Sequence, residues 1–270
     1  MKPVDLEGDT SGGQRFTHVL EELNLRAVPY NDDAIIRSMY PPKPKSPKVV
    51  RALNTLSARN WPPDILVKFG KREYMADLLL AGRGRVSLAT SYDDPSLGHA
   101  RSDNESRLFA YPDPADAHHF FVTDQHDRTA AGDLDVAYLG SAQIHVRATT
   151  DFYVYCLAGT ADASLFDDFD ADTCIVITKP SEFKARIQTA VSARLPNWKF
   201  IAGPVIYFDP FFCHAHQIVP HFWKHFRFSY QKEHRLVWLP PKPDCSGETT
   251  TKHVQFDVGP LTDCARLIWL

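Results

Sequence analysis

The sequence predicts an α+β fold in which flanking helices pack on a split, mixed or antiparallel β-sheet. Alternating or continuous apolar runs, which are typical of strands, concentrate in the second half of the chain. Helical periodicity of apolar residues occurs in only a few segments, most of them in the first half. The 270 residues are 44% hydrophobic and 23% charged, as in ordinary soluble globular proteins.

The first third of the chain alternates helix and strand. The predicted elements here are helices over residues 16–25, 49–60 and 71–80 and strands over residues 65–69 and 86–90. Gly82 follows the third helix at a natural C-terminal position. A run of prolines and lysines over residues 40–48 is incompatible with helix or sheet and is interpreted as a linker. We therefore predict an N-terminal helical and proline-rich arm over residues 1–60 and a single α+β domain over residues 61–270.

The rest of the chain predicts mainly strands. They are expected over residues 142–148, 152–157, 174–178, 205–208, 226–239, 253–258 and 265–269. One helix over residues 181–193 interrupts them, with Ser181 as its N-cap. Residues 92–135 are rich in Asp, Pro, His and Ser and are expected to form a long surface excursion, which in compact domains often serves as a lid.

Composition excludes several classes of protein. Five scattered cysteines without a C-x-x-C pair argue against a disulfide framework and against a classical zinc finger. The N-terminus lacks the pattern of a secretory signal, and no run of about 18 apolar residues occurs, so we expect a cytoplasmic protein without a membrane span. The net charge of −3 provides no global attraction to nucleic acid, although a local basic face remains compatible with it.

Glu233 is the first candidate catalytic residue. It precedes Leu236 to Leu239, an apolar run on both faces that predicts a central strand. A carboxylate at the entrance to a buried strand is costly unless it is paired or used, and Lys232, His234 and Arg235 are candidate partners. The alternatives are an ion-paired strand end and a carboxylate that stabilises the positive charge developing on a ribose during NAD glycosyl transfer.

The order of elements resembles the ADP-ribosyltransferase fold, particularly its bacterial DNA-modifying members. The resemblance rests on Val67-Lys68-Phe69-Gly70, on the helix from Met75 to Gly82, on Arg85-Val-Ser-Leu and on Glu233. The chain is also similar to an uncharacterised bacterial family with an Asp-Pro turn (Asp94-Pro95) and a Glu-x-Arg strand (Glu233-His-Arg235). Lys68 stands where the ADP-ribosyltransferase fold has His or Arg.

The resemblance implies NAD as the substrate and a protein or nucleic acid as the acceptor, in a toxin-like or defence-linked role. Glu233 would be the catalytic carboxylate. The residues expected to bind NAD are Lys68 and Gly70 at a ribose or the pyrophosphate, Tyr92 or Tyr153 on the nicotinamide, and Arg101 from the loop.

Two other functions compete with this one. A metal-dependent hydrolase or nuclease would use a cluster of potential zinc ligands together with Asp209. That cluster consists of Cys213, His214, His216, His221 and His225. No metal site is assigned, because Cys-His-x-His is not a usual structural spacing and aromatic packing accounts for the segment more simply. The third alternative is a non-catalytic binding domain of a bacterial defence system.

Overall fold

A computed structural model describes residues 45–93, 107–110, 120–121, 133–134, 144–148, 150–209, 218–241 and 251–270. Its helices are α1 (Pro47–Ser57), α2 (Arg72–Ala81), α3 (Leu165–Asp168) and α4 (Pro180–Ser192), with 3₁₀ helices at Ala89–Tyr92 and Phe226–Gln231. Its strands are β1 (Leu66–Gly70), β2 (Arg83–Leu88), β3 (Arg107–Ala110), β4 (Phe120–Phe121), β5 (Asp133–Leu134), β6 (Ile144–Arg147), β7 (Tyr153–Ala158), β8 (Thr173–Ile177), β9 (Lys199–Pro204), β10 (Ile206–Phe208), β11 (Trp223–His225), β12 (Glu233–Leu239), β13 (His253–Asp257) and β14 (Ala265–Trp269). The predicted α+β class is confirmed.

Eight of these strands form one antiparallel sheet. Its strand order is β13-β2-β7-β1-β8-β14, and β12 pairs with β7 and β9. Three two-stranded ribbons accompany it, of which β10–β11 is parallel. Since β12 has a neighbour on each side, the prediction that the Glu233 strand is central is confirmed.

The sheet forks along one edge of β7. β12 pairs along the whole of one edge of β7, and β1 and β2 share the opposite edge. β2 pairs with Tyr153 and Val154, whereas β1 pairs with Ala158. The segment between these two pairings, residues 155–157, has only β12 as a strand neighbour within the described sheet. The fork therefore lies beside the middle of β7.

Each face of the sheet has its own apolar cluster. We call face A the side onto which α2 and α4 pack, with Tyr155, Leu157 and Trp238 among its buried side chains. Face B is the opposite side. It carries one cluster around Val67 and Phe166, to which α1 and α3 contribute, and a second cluster around Phe152, Val154 and Val237. The separation follows from the alternation of side chains along a strand.

Helix α1 begins where local chemistry favours it. The Ser46 side chain accepts a hydrogen bond from the backbone N–H of Val49 at 3.1 Å, and Pro47 occupies the first turn. Its buried residues Val49, Ala52 and Leu56 pack into the face B cluster around Phe166. The end of the predicted arm thus packs on the sheet, while the helix predicted over residues 16–25 lies outside the described residues.

Two local expectations were wrong, and one strand was missed. Residues 226–231 form a 3₁₀ helix rather than a strand, and Lys232 then takes a left-handed conformation (φ 43°) before β12 begins. Helix α4 begins at Pro180 with Lys179 as N-cap and without a side-chain cap hydrogen bond, so Ser181 is not the cap. Strand β9 was not predicted at all. The alternating Phe and Tyr residues at 226–230 resembled a strand because a short 3₁₀ segment has no distinctive period.

None of the described helices is both long and apolar enough to cross a membrane.

Candidate functional site

Glu233 is the first residue of β12, and both its backbone N–H and its backbone C=O are hydrogen-bonded. Its N–H donates to the Tyr207 hydroxyl at 2.7 Å, and its C=O accepts from Val205 N at 2.9 Å. The side chain is only 6% exposed. A carboxylate in such a place requires compensating partners, because its desolvation is costly.

Two buried cations bind the Glu233 carboxylate. Arg235 Nε lies 2.7 Å from Oε1, and Lys224 Nζ lies 3.0 Å from Oε2. Arg235 is fully buried and Lys224 is 3% exposed, so the whole triad is nearly excluded from water. The Cys156 thiol adds a further hydrogen bond to the carboxylate. Each carboxylate oxygen thus has a charged donor.

The strand register explains why Arg235 and Cys156 meet Glu233. Glu233 is paired with Ala158 and Arg235 with Cys156, so all four side chains project from face B. Arg235 also donates from Nη1 to the backbone carbonyl of His221 at 3.1 Å. The guanidinium therefore links β12 to the segment that precedes β11.

Lys224 comes from a different part of the chain. In the parallel ribbon β10–β11 it is paired with Tyr207, so the ribbon directs a hydroxyl and an ammonium group to the same residue of β12. The Lys224 ammonium also lies 4.7 Å from the centre of the Phe228 ring, a cation–π contact that helps to offset its desolvation.

The cations keep Glu233 ionised. Burial alone would raise the pKa of this carboxyl, but the charges of Arg235 and Lys224 and the hydrogen bonds from Arg235 and Cys156 outweigh it. The pKa of Glu233 is therefore held well below its usual value. At neutral pH the residue is an anion and a poor proton acceptor, which disfavours a role as a general base.

Tyr92 shares face B with Glu233. It ends the 3₁₀ helix Ala89–Tyr92 and is partly buried against the cluster of Phe152, Val154 and Val237. Cys156 packs against the same cluster. Of the residues predicted to bind NAD, Tyr92 is thus the one that lies on the face of the catalytic candidate.

Lys68 projects from face A instead. Its neighbour Val67 is paired with Ala158, which shares face B with Glu233, so Lys68 points to the other side. Its ammonium donates to the Cys156 carbonyl at 2.8 Å and lies 4.3 Å from the centre of the Tyr155 ring. Lys68 thereby occupies the fork beside β7, and burial lowers the pKa of its ammonium group.

Gly70 and Tyr153 also belong to face A. A Cβ on Gly70 would lie 2.9 Å from Met75 Cε, so this glycine admits the side chain of α2 onto the sheet. Tyr153 is 1% exposed, its ring lies 5.1 Å from that of Trp198, and its hydroxyl donates to the Thr251 carbonyl at 2.5 Å. Both residues are packed in the core. Arg101 lies outside the described residues.

The sequence anticipated only part of the ion-paired cluster. Arg235 is confirmed as a partner of Glu233, whereas His234 projects to face A, where its Nε2 atom has no hydrogen-bond partner among the described residues. Lys224, Tyr207 and Cys156 were not predicted as partners. The one available signal was the aromatic and basic composition of residues 207–230, which does not specify a contact.

The potential metal ligands are only partly described. Cys213, His214 and His216 lie outside the described residues, within which no group of three or more His, Cys, Asp or Glu side chains could hold a metal ion. The His221 ring packs 4.5 Å from Phe152, and His225 Nδ1 accepts from Arg227 N at 3.1 Å. These two histidines take part in packing and in a local turn.

A broad, open depression on the described surface lies at the start of α2 rather than at Glu233. Its lining residues are Lys71, Arg72, Glu73, Ala76 and Asp172. Four of these side chains are charged and two of them pair elsewhere, Lys71 with Asp170 and Arg72 with the Trp269 ring. We assign no function to it.

Comparison of the chain with protein-family models, with curated proteins and with solved structures gave no match. The functional proposal therefore depends on the residues around Glu233 and on their geometry.

Proposed function

We propose that the protein transfers ADP-ribose from NAD to a macromolecular acceptor and that Glu233 is the carboxylate that stabilises the transition state. One observation supports this most strongly. A buried carboxylate begins a central strand and is kept anionic by Arg235 and Lys224. Strongly perturbed ionisable groups concentrate at functional sites, although structural ion-pair networks produce them too.

The chemistry requires a fixed negative charge. When nicotinamide leaves NAD, positive charge develops on the ribose, and an ionised carboxylate in a low-dielectric site stabilises it strongly. Glu233 meets this requirement because its pKa is held well below the usual value by Arg235 and Lys224, despite burial.

Tyr92 is the aromatic residue proposed to contact the nicotinamide. It is partly buried, lies on face B and packs against the cluster that Cys156 also contacts. The predicted roles of Lys68, Gly70 and Tyr153 in NAD binding remain predictions. This arrangement does not favour them, because all three residues belong to face A. The proposed ligand therefore lies on face B, above β7 and β12.

The test is incubation of the purified protein with NAD and cell lysate. Nicotinamide release and transfer of labelled ADP-ribose are followed, and the labelled material is digested separately with protease and with nuclease. Release together with a digestible labelled acceptor is expected. Wild-type protein that releases no nicotinamide, and whose melting temperature does not change with NAD, would exclude the proposal and favour a non-catalytic binding domain.

Two variants test whether the loss of nicotinamide release is specific to Glu233 or follows from the loss of any carboxylate. Glu182→Gln removes an exposed carboxylate on α4 that pairs with Arg186 at 3.0 Å. It should leave nicotinamide release unchanged. Glu233→Gln/Lys224→Met removes one negative and one positive charge together, which preserves the net charge of the buried cluster, and it should abolish release.

A further inference from the structure

Strand β14 forms one edge of the large sheet, because it pairs with β8 alone among the described strands. Two bonds at its ends fix the direction of its backbone groups. Thr178 N donates to the Cys264 carbonyl at 2.8 Å, and Leu270 N donates to the Asp172 carbonyl at 3.1 Å. Backbone groups alternate along an antiparallel strand, so the even-numbered residues of β14 face β8 and the odd-numbered residues face away from the sheet.

The outward backbone groups of β14 are open at two positions. The Ala265 N–H already donates to the Leu261 carbonyl at 2.9 Å, and the Ala265 carbonyl accepts from Arg266 Nη1 at 2.8 Å. The N–H and C=O groups of Leu267 and Trp269 have no hydrogen-bond partner among the described residues. This edge therefore presents two donors and two acceptors, beside a Trp269 side chain that is 55% exposed.

The other two edges of the described sheet are protected against pairing. Strand β9 pairs with β12 alone and ends in Pro204, which has no N–H to donate. Strand β13 pairs with β2 alone, and its outward residues are His253, Gln255 and Asp257, whose side chains are polar or charged. Only β14 combines open backbone groups with apolar side chains among these edges.

We propose that β14 pairs with the β14 strand of a second copy of this chain, antiparallel and about a two-fold axis at Ile268. This register places Leu267 of one copy opposite Trp269 of the other, and each such pair exchanges both of its N–H···O=C bonds. All of the open groups of the edge are then used. A register centred on Leu267 would instead require the backbone groups of Ala265, which are already bonded.

The side chains fit the same register. Leu267 packs against the face A cluster, and Trp269 lies on the same face two residues further along the strand. Each Trp269 ring therefore lies beside Leu267 of the other copy, a cross-strand pair that removes exposed aromatic surface from water. On face B the two Ile268 residues are directly opposite each other. Ile268 belongs to the face B cluster around Phe166, so the clusters of the two copies become continuous.

Sedimentation equilibrium of the wild-type chain and of Trp269→Pro tests this dimer. A proline at position 269 removes the outward N–H and the exposed ring, while no hydrogen bond between β14 and β8 is lost. One intersubunit hydrogen bond from each copy disappears. The dissociation constant of the dimer should therefore rise at least about tenfold.

Gln255→Pro is the matched control. The N–H of this exposed residue also faces outward, but on β13, so the variant should dimerise like the wild type. Amide hydrogen exchange of the wild type provides a second measurement that requires no variant. Raising the protein concentration should slow exchange at Leu267 and Trp269 and leave exchange at Gln255 unchanged.

The dimer is independent of the site around Glu233, because β1 and β8 lie between β14 and β7 in the sheet. Trp269→Pro should therefore change the dissociation constant and not the rate of nicotinamide release. A wild-type chain that stays monomeric at every concentration would overturn the inference. A dimer that the two proline variants weaken equally, or one that leaves exchange at Leu267 and Trp269 unchanged, would overturn it as well.

Discussion

Lys224 Nζ lies 3.0 Å from Glu233 Oε2, although both side chains are almost completely buried and belong to different strand pairs. Arg235 Nε lies 2.7 Å from the other carboxylate oxygen. Two cations from two structural units therefore converge on one anion. Such a cluster is weak evidence of stabilisation by itself, since replacing a buried ion pair with apolar residues is often neutral. Removing a single member has much larger effects, and these are measurable.

Glu233→Gln should strongly destabilise the protein. It keeps the shape of the side chain but leaves Lys224 and Arg235 buried without their counter-charge. The free energy of unfolding should fall by about 3–5 kcal/mol, the usual cost of breaking a buried ion pair on one side. Urea denaturation measures it.

The matched control is the double variant Glu233→Gln/Lys224→Met. It removes one of the two unpaired cations and leaves Arg235 buried without its counter-charge. It should therefore recover part of the lost free energy of unfolding, since Glu233 and Lys224 are in contact and their effects are not additive. A single variant within about 1 kcal/mol of wild type would show that the ion pair is not structurally coupled as described.

The free energy of unfolding should fall as the pH is lowered from about 6.5 to about 4. Burial and the charge of Lys184 lower the pKa of His234 from 6.5 to about 4 in the folded protein. Within this window the unfolded chain binds more protons than the folded chain, so stability decreases with falling pH. His234→Gln should reduce the slope, by at most about 1.4 kcal/mol per pH unit. An unchanged slope would exclude His234 as a contributor.

The free energy of unfolding should decrease a second time below about pH 4.5. The pKa of Glu233 in the folded protein lies well below its usual value of 4.5, because the charges of Arg235 and Lys224 outweigh the effect of burial. Its stabilisation is therefore complete above that value and is lost as the pH falls toward the folded-state pKa. In the variant Glu233→Gln/Lys224→Met this acidic loss should be smaller than in wild type. Acid denaturation curves of the two proteins, recorded side by side, provide the comparison.

Lys68→Met should affect stability and not NAD binding. The ammonium group donates to the Cys156 carbonyl at 2.8 Å beside the fork, and its loss should cost about 1 kcal/mol of the free energy of unfolding. Because Lys68 lies on face A and the proposed ligand on face B, Lys68 should not contact NAD. Its charge acts on the site only through its electrostatic interaction with Glu233, so the dissociation constant for NAD should change by much less than about tenfold. Titration calorimetry measures that constant. A tenfold weaker affinity would instead place Lys68 in contact with NAD, as the ADP-ribosyltransferase resemblance implied.

Much of the sheet could be predicted because its strands are locally distinctive. The apolar runs at β8 and β14 and the helix between β1 and β2 are evident from periodicity. The pairing of Glu233 with Arg235 could also be predicted, because residues two apart on a strand share a face.

The remaining contacts depend on strand register, which periodicity does not specify. A shift of one residue between β1 and β7 would move Lys68 to the other face, so the face on which Lys68 lies could not be inferred from either strand alone. Lys224 and Tyr207 reach Glu233 only because β10 and β11 pair in parallel across a long connection. No local pattern in the sequence encodes that pairing.

The rate of nicotinamide release by Glu233→Gln/Lys224→Met, compared with wild type at equal amounts of folded protein, tests the central claim most directly. The double variant removes the negative charge of Glu233 and the positive charge of Lys224, so the net charge of the buried cluster is unchanged. We predict release from NAD by the wild type and a rate at least about 100-fold lower in the variant, the scale of losing one electrostatic transition-state contact. A folded double variant that releases nicotinamide at the wild-type rate would contradict the assignment of Glu233.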